Sequence, residues 1–77
     1  MDIESREEFI RLVERNALIY FGEYVEKNEL LSVVEMVIDK CHRHYQYVMD
    51  HIRRHLREEC GKRNIPFTVI YRRYKDE

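Results

Sequence analysis

The sequence predicts an all-α fold: an antiparallel helical hairpin, short helix then long helix, with a short C-terminal β-strand, two copies forming a dimeric four-helix bundle. Three observations predict it. Apolar residues recur at helical spacing through most of the first 60 positions. Glycine and proline are limited to Gly22, Gly61 and Pro66. The one dense β-branched and aromatic run, Ile65-Pro66-Phe67-Thr68-Val69-Ile70-Tyr71, comes after the helical pattern ends. The 77 residues make one helical domain, 1–77, with no repeat, low-complexity segment or interdomain linker.

The first helix is expected over about residues 5–27. Ser5 and Glu8 form a capping box, and the acidic first turn suits the helix dipole. Phe9, Ile10, Val13, Ala17, Tyr20, Phe21 and Tyr24 fall in one arc of about 120°. Leu12 and Ile19 lie outside it on one side, Leu18 and Val25 on the other, so one neighbouring helix cannot cover the apolar surface. Gly22 weakens the helix locally or permits a close approach, and Asn28 ends it or caps the next.

The second helix is expected over about residues 29–60. Leu30, Val34, Val37, Cys41, Tyr45, Val48, Ile52 and Leu56 recur at spacings of four and three, and Leu31, Ile38 and Met49 widen the stripe. No breaker interrupts the seam, which leaves open whether the helix bends near residues 42–44. Continuous, it spans roughly 45 Å against roughly 33 Å for the first helix. Gly61, with Lys62 and Arg63 beside it, is the expected stop. Arms of unequal length leave the far end of the long one uncovered. A second copy is therefore expected to cover it, with Leu12, Ile19, Val48, Ile52, Leu56 and Val69 as the dimer packing residues.

Residues 65–74 are expected to be an extended, strand-like tail. A single strand leaves its backbone groups unpaired, so its partner is the same strand of a second copy or a strand of another protein. The alternative is an extended tail lying on the helices.

The net charge of −1 hides a split. Residues 1–39 carry ten acidic and four basic side chains; residues 40–77 carry five acidic and ten basic, and all four histidines. Arg43, Arg54 and Arg57 fall on the pole of the long helix opposite the apolar stripe, with Asp50 among them and Lys40 and Arg53 flanking. Lys62, Arg63, Arg72, Arg73 and Lys75 follow, interleaved with Tyr71 and Tyr74. Arginine forks suit phosphates and tyrosines stack on bases, which makes this set a candidate surface for a protein partner or for nucleic acid. No known DNA-binding signature is present: a ribbon-helix-helix needs its strand before the helices, and a helix-turn-helix needs a short recognition helix.

His44, His51 and His55 share one edge of the apolar stripe. His51 and His55, four apart, have the spacing for two ligands on one helix face, but no third ligand accompanies them, so no metal and no cofactor are assigned. Cys41 sits within the stripe as a small core residue. Cys60 follows two glutamates, whose charge raises its pKa and dulls it. On a continuous helix the two cysteines stand roughly 28 Å apart, far beyond the roughly 7 Å of a disulfide.

No nucleophile beside a base, phosphate loop or paired carboxylate is present, so no catalytic residue is assigned and the protein is expected not to be an enzyme. No signal peptide or membrane-spanning run is present. The expectation is a cytoplasmic, non-enzymatic regulatory or adaptor protein acting as a homodimer on a protein partner. The alternative is a nucleic-acid-binding regulator using the basic pole and the Tyr/Arg tail.

Overall fold

The computed structural model describes residues 3–40, 44–69 and 74. They form three helices, α1 (Ile3–Phe21), α2 (Lys27–Lys40) and α3 (Tyr45–Lys62), each packed on the other two. No strand occurs among the described residues.

Helix α1 stops at Phe21, not near residue 27. The Gly22 N–H still donates to the Leu18 carbonyl at 3.0 Å, but a Cβ on Gly22 would lie only 2.4 Å from that oxygen. Only glycine fits at this turn. The Tyr24 N–H then donates to the Phe21 carbonyl at 3.1 Å, tightening the chain out of the α-helical path. Helix α2 begins its own ladder with Leu30 N–H to Glu26 O at 2.9 Å.

The single helix expected over 29–60 is two helices. α2 ends at Lys40, and His44 has φ −76° and ψ 172°, an extended conformation that no continuous helix contains. The ends of the bundle show how the chain runs. Arg63, just after α3, pairs with Glu29, at the start of α2, with Nη2–Oε2 at 2.6 Å and Nη1–Oε1 at 2.8 Å. On a straight helix these two residues would be about 51 Å apart. Arg6 at the start of α1 meets Asp39 at the end of α2, at 3.7 Å. The three helices therefore run up, down and up.

The physical reason for the break is the seam itself. Folded at His44, its two halves face each other and α1. Val13, Ala17 and Phe21 of α1, Leu30 and Val34 of α2, and Val48, Met49, Ile52 and Leu56 of α3 are all fully buried within one chain. Each buried aliphatic side chain contributes roughly 1.5–3 kcal/mol, so closing the seam outweighs the backbone hydrogen bonds lost at the break. The core is closed by three helices of one chain, where the sequence analysis expected two helices from each of two chains. Val48, Ile52 and Leu56, expected at a dimer interface, are core residues of the monomer.

Helix α3 runs past Gly61, the expected stop, to Lys62. The stop is Asn64, at φ 57° in the left-handed region. The Ile65 N–H donates to the Cys60 carbonyl at 2.9 Å and the Asn64 N–H to the Gly61 carbonyl at 3.3 Å, the paired bonds of a Schellman motif. Asparagine tolerates that conformation better than most residues.

Residues 65–69, the described part of the expected strand, form no strand or helix. They lie on the C-terminal end of α1: the Phe67 ring packs on Phe21 (centroids 6.2 Å) and Tyr24 (4.8 Å), and the Tyr24 and Thr68 hydroxyls are 2.8 Å apart. Residues 70–73 of the predicted strand lie outside the described residues. No described helix is long and apolar enough to cross a membrane.

Candidate functional site

Of the basic pole and its flanks, α3 carries Arg53, Arg54 and Arg57, and the structure turns Arg53 inward, together with Asp50. Gln46, Asp50 and Arg53, spaced i, i+4 and i+7, share one face of α3. Tyr74 sits on that face: its N–H donates to Gln46 Oε1 at 2.9 Å, and Gln46 Nε2 donates to its carbonyl. One glutamine side chain thus satisfies both backbone groups of a tail residue. The Tyr74 ring is buried against Tyr20 (centroids 5.1 Å, edge-on) and Phe21 (6.1 Å). Tyr74, expected as an exposed contact residue, is part of the core, because the C-terminal tail supplies a fourth packing layer that the helical periodicity does not show.

Asp50 and Arg53 are also buried, at 8% exposure each. Arg53 Nε and Nη2 both donate to Asp50 Oδ1, at 3.1 and 3.0 Å, and Arg54 Nη2 reaches Oδ2 at 2.8 Å. A buried ion pair adds little net stability, but removing one member strands the other charge at a cost on the order of 3 kcal/mol. Asp50, expected among the exposed arginines, is therefore their internal counterion.

The remaining named basic residues are distributed as follows. Arg54 and Arg57 are exposed, Arg54 held by Asp50. Lys62 pairs with Glu59 at 3.3 Å, and Arg63 forks onto Glu29 and reaches Glu59 at 3.6 Å. The Arg63 hydrogen bonds hold the Glu29 carboxyl below its usual range, and in return raise the Arg63 pKa. Arg43, Tyr71, Arg72, Arg73 and Lys75 lie outside the described residues.

The histidine edge is partly present. His44 and His51 are exposed and His55 is half-buried, with His44 edge-on to Tyr47 at 4.8 Å. Among the described residues no three His, Cys, Asp or Glu side chains converge on a point that would hold a metal ion. Cys60 is a free thiol, fully buried within α3. Burial raises its pKa most; Arg63 works against this, and the Glu29 and Glu59 charges add to it. Cys41 lies outside the described residues, and the helix break removes the basis for the distance expected between the two cysteines.

A shallow concavity of about 320 Å³ lies on the outer face of α2, lined by Ser32, Glu35, Met36, Asp39 and Lys40. One helix face supplies all of its walls, so it cannot enclose a small molecule. Among the described residues, the large apolar side chains left exposed are Ile19 on α1, at 68%, and Tyr47 on α3, at 51%. Leu12, seven residues before Ile19 on the same edge of α1, is half-buried, as is Val69 in the tail.

Apolar periodicity does not single out Gln46 or Asn64. The spacing of Gln46, Asp50 and Arg53 was a visible polar stripe, and Asn64 before Ile65-Pro66 was a visible helix stop. Compared with known proteins, the chain matches no family model, no curated protein and no solved structure.

Proposed function

We propose that this is a small, non-enzymatic regulatory or adaptor protein that binds a protein partner and works as a homodimer. One observation carries the preference for protein over nucleic acid: the chain pairs its own basic residues. Arg53 and Arg54 meet Asp50, Lys62 meets Glu59, and Arg63 meets Glu29. Between residues 44 and 69, five basic side chains face three acidic ones, so this described stretch has little charge left to displace counterions from a phosphate backbone, while Arg43, Arg72, Arg73 and Lys75 lie outside the described residues. The surface offered instead is the edge of α1 bearing Ile19 and Leu12, where an isoleucine two-thirds exposed beside arginines and glutamates resembles the apolar centre and polar rim of a protein interface. The proposal includes a cytoplasmic setting, supported by the free Cys60 thiol.

Two measurements test this reading. Fluorescence anisotropy with duplex and single-stranded DNA and RNA at low salt is expected to show no salt-steep binding, and Arg72→Glu with Arg73→Glu is expected to change nothing. Affinity that falls steeply with salt and vanishes in that double variant would instead establish the nucleic-acid alternative. A photo-crosslinker at Leu12, on the same edge of α1, is expected to trap a protein that Ile19→Lys loses and Arg57→Glu keeps. Equal trapping in both variants removes the α1 edge from the proposal.

A further inference from the structure

We propose that α3 carries a second binding surface, an arginine site that takes two neighbouring carboxylates on an acidic segment of a protein. It lies on a different helix from the α1 edge and goes beyond the reading given above. An adaptor joins two proteins, and this surface supplies the second contact.

Asp50, Arg53, Arg54 and Arg57 stand at i, i+3, i+4 and i+7, within about 100° of one another around α3. Asp50 is buried and both its oxygens are engaged: Arg53 Nε and Nη2 donate to Oδ1, and Arg54 Nη2 reaches Oδ2 at 2.8 Å. The Arg54 side chain is nonetheless 66% exposed. Arg57 is exposed and forms no ion pair among the described residues. Arg53 and Arg57 are moreover a like-charge pair at i, i+4, which costs a helix stability unless an anion answers it.

Three guanidiniums thus share one carboxylate, a local surplus of two positive charges. Elsewhere between residues 44 and 69 the charges balance, with Lys62 and Arg63 set against Glu58 and Glu59. The surplus of this stretch is therefore gathered on one face. Two charges are too few for a nucleic-acid backbone, where roughly 6–10 phosphate contacts make binding steep in salt. They match two carboxylates. Arg54 and Arg57 are exposed planar forks three residues apart, each suited to a bidentate carboxylate. Asp50 holds Arg54 in place before any ligand arrives, so less side-chain freedom is lost on binding.

The test titrates the full-length chain into a fluorescein-labelled tetraglutamate peptide at low salt and reads anisotropy. Binding is expected, and Arg54→Ala and Arg57→Ala are each expected to weaken it about fivefold or more. Lys62→Ala removes the same charge from a residue that Glu59 already pairs, and is expected to change affinity by less than about twofold. The melting curve of Arg57→Ala is expected to match the wild type, because its side chain is exposed. No binding by the wild-type chain at millimolar concentration overturns the site. So does an equal loss in Lys62→Ala, which would mean diffuse charge attraction. Tighter binding of a phosphoserine peptide or of single-stranded DNA, lost in the same two arginine variants, overturns the carboxylate assignment. The DNA result overturns the preference for protein above as well. Failure with the peptides alone leaves the α1 edge standing, because trapping at Leu12 uses none of these residues.

Discussion

Between α1 and α2 the chain turns over residues 22–26, at a glycine whose missing side chain the turn requires. Between α2 and α3 it turns at His44, with no glycine, no proline and no side-chain cap. The first bend is specified by its own residues and would persist with little help. The second is imposed from a distance, by the apolar side chains that meet once it has formed. A pattern that reads as one helix can thus fold as two when its halves bury each other.

The largest expected effect comes from weakening what holds the second bend. Leu56→Ala removes a fully buried side chain from the α3 side of the core and is expected to cost about 3 kcal/mol. That lowers the melting temperature by roughly 12 °C or more.

Gly22→Ala attacks the first bend directly. With the new Cβ aimed at the Leu18 carbonyl, a loss of about 1–3 kcal/mol is expected in denaturant titration. Gly61→Ala is the control: nothing lies within 4 Å of its Cβ position and the residue is helical, so a gain of about 0.5–1 kcal/mol is expected. Equal losses at both glycines would remove the special role given to Gly22.

His44→Asp supplies the cap that the second bend lacks. The monomer is expected to gain about 1 kcal/mol, since an N-cap carboxylate accepts first-turn N–H groups. No gain in chemical denaturation would mean that those donors are already satisfied.

The smallest effect is electrostatic. Hydrogen bonds from Arg63 hold the Glu29 carboxyl below its usual range, so its contribution is present above that range and fades as the pH falls through the lowered value. Both side chains are exposed enough for salt to screen them. Melting temperature against pH is expected to show a small acid-side decline that Glu29→Gln flattens and high salt weakens.

Much of the packing was legible in the sequence. Every described residue of the long seam is buried, and Val13, Ala17 and Phe21 line α1 as their spacing predicts. The break at His44 was not legible, because periodicity reports which residues share a face and says nothing about whether that face folds onto itself. The inward turn of Asp50 and Arg53 was hidden for a related reason. On a helical wheel Asp50 opposes the stripe and Arg53 flanks it, yet both are buried, and a wheel does not report what the rest of the chain lays over that side. The candidate contact surface shrank accordingly, to the α1 edge and the exposed arginines of α3.

The central claim is that the bend at His44 belongs to the tertiary packing and not to the local sequence. It is tested most directly by the ¹³Cα chemical shift of His44, measured in the native protein and again in a compact acid state, which keeps near-native helices while losing fixed side-chain packing. The account predicts an extended shift in the native monomer and a helical shift, continuous from α2 into α3, once the packing is gone. An extended shift at His44 in both conditions would contradict it.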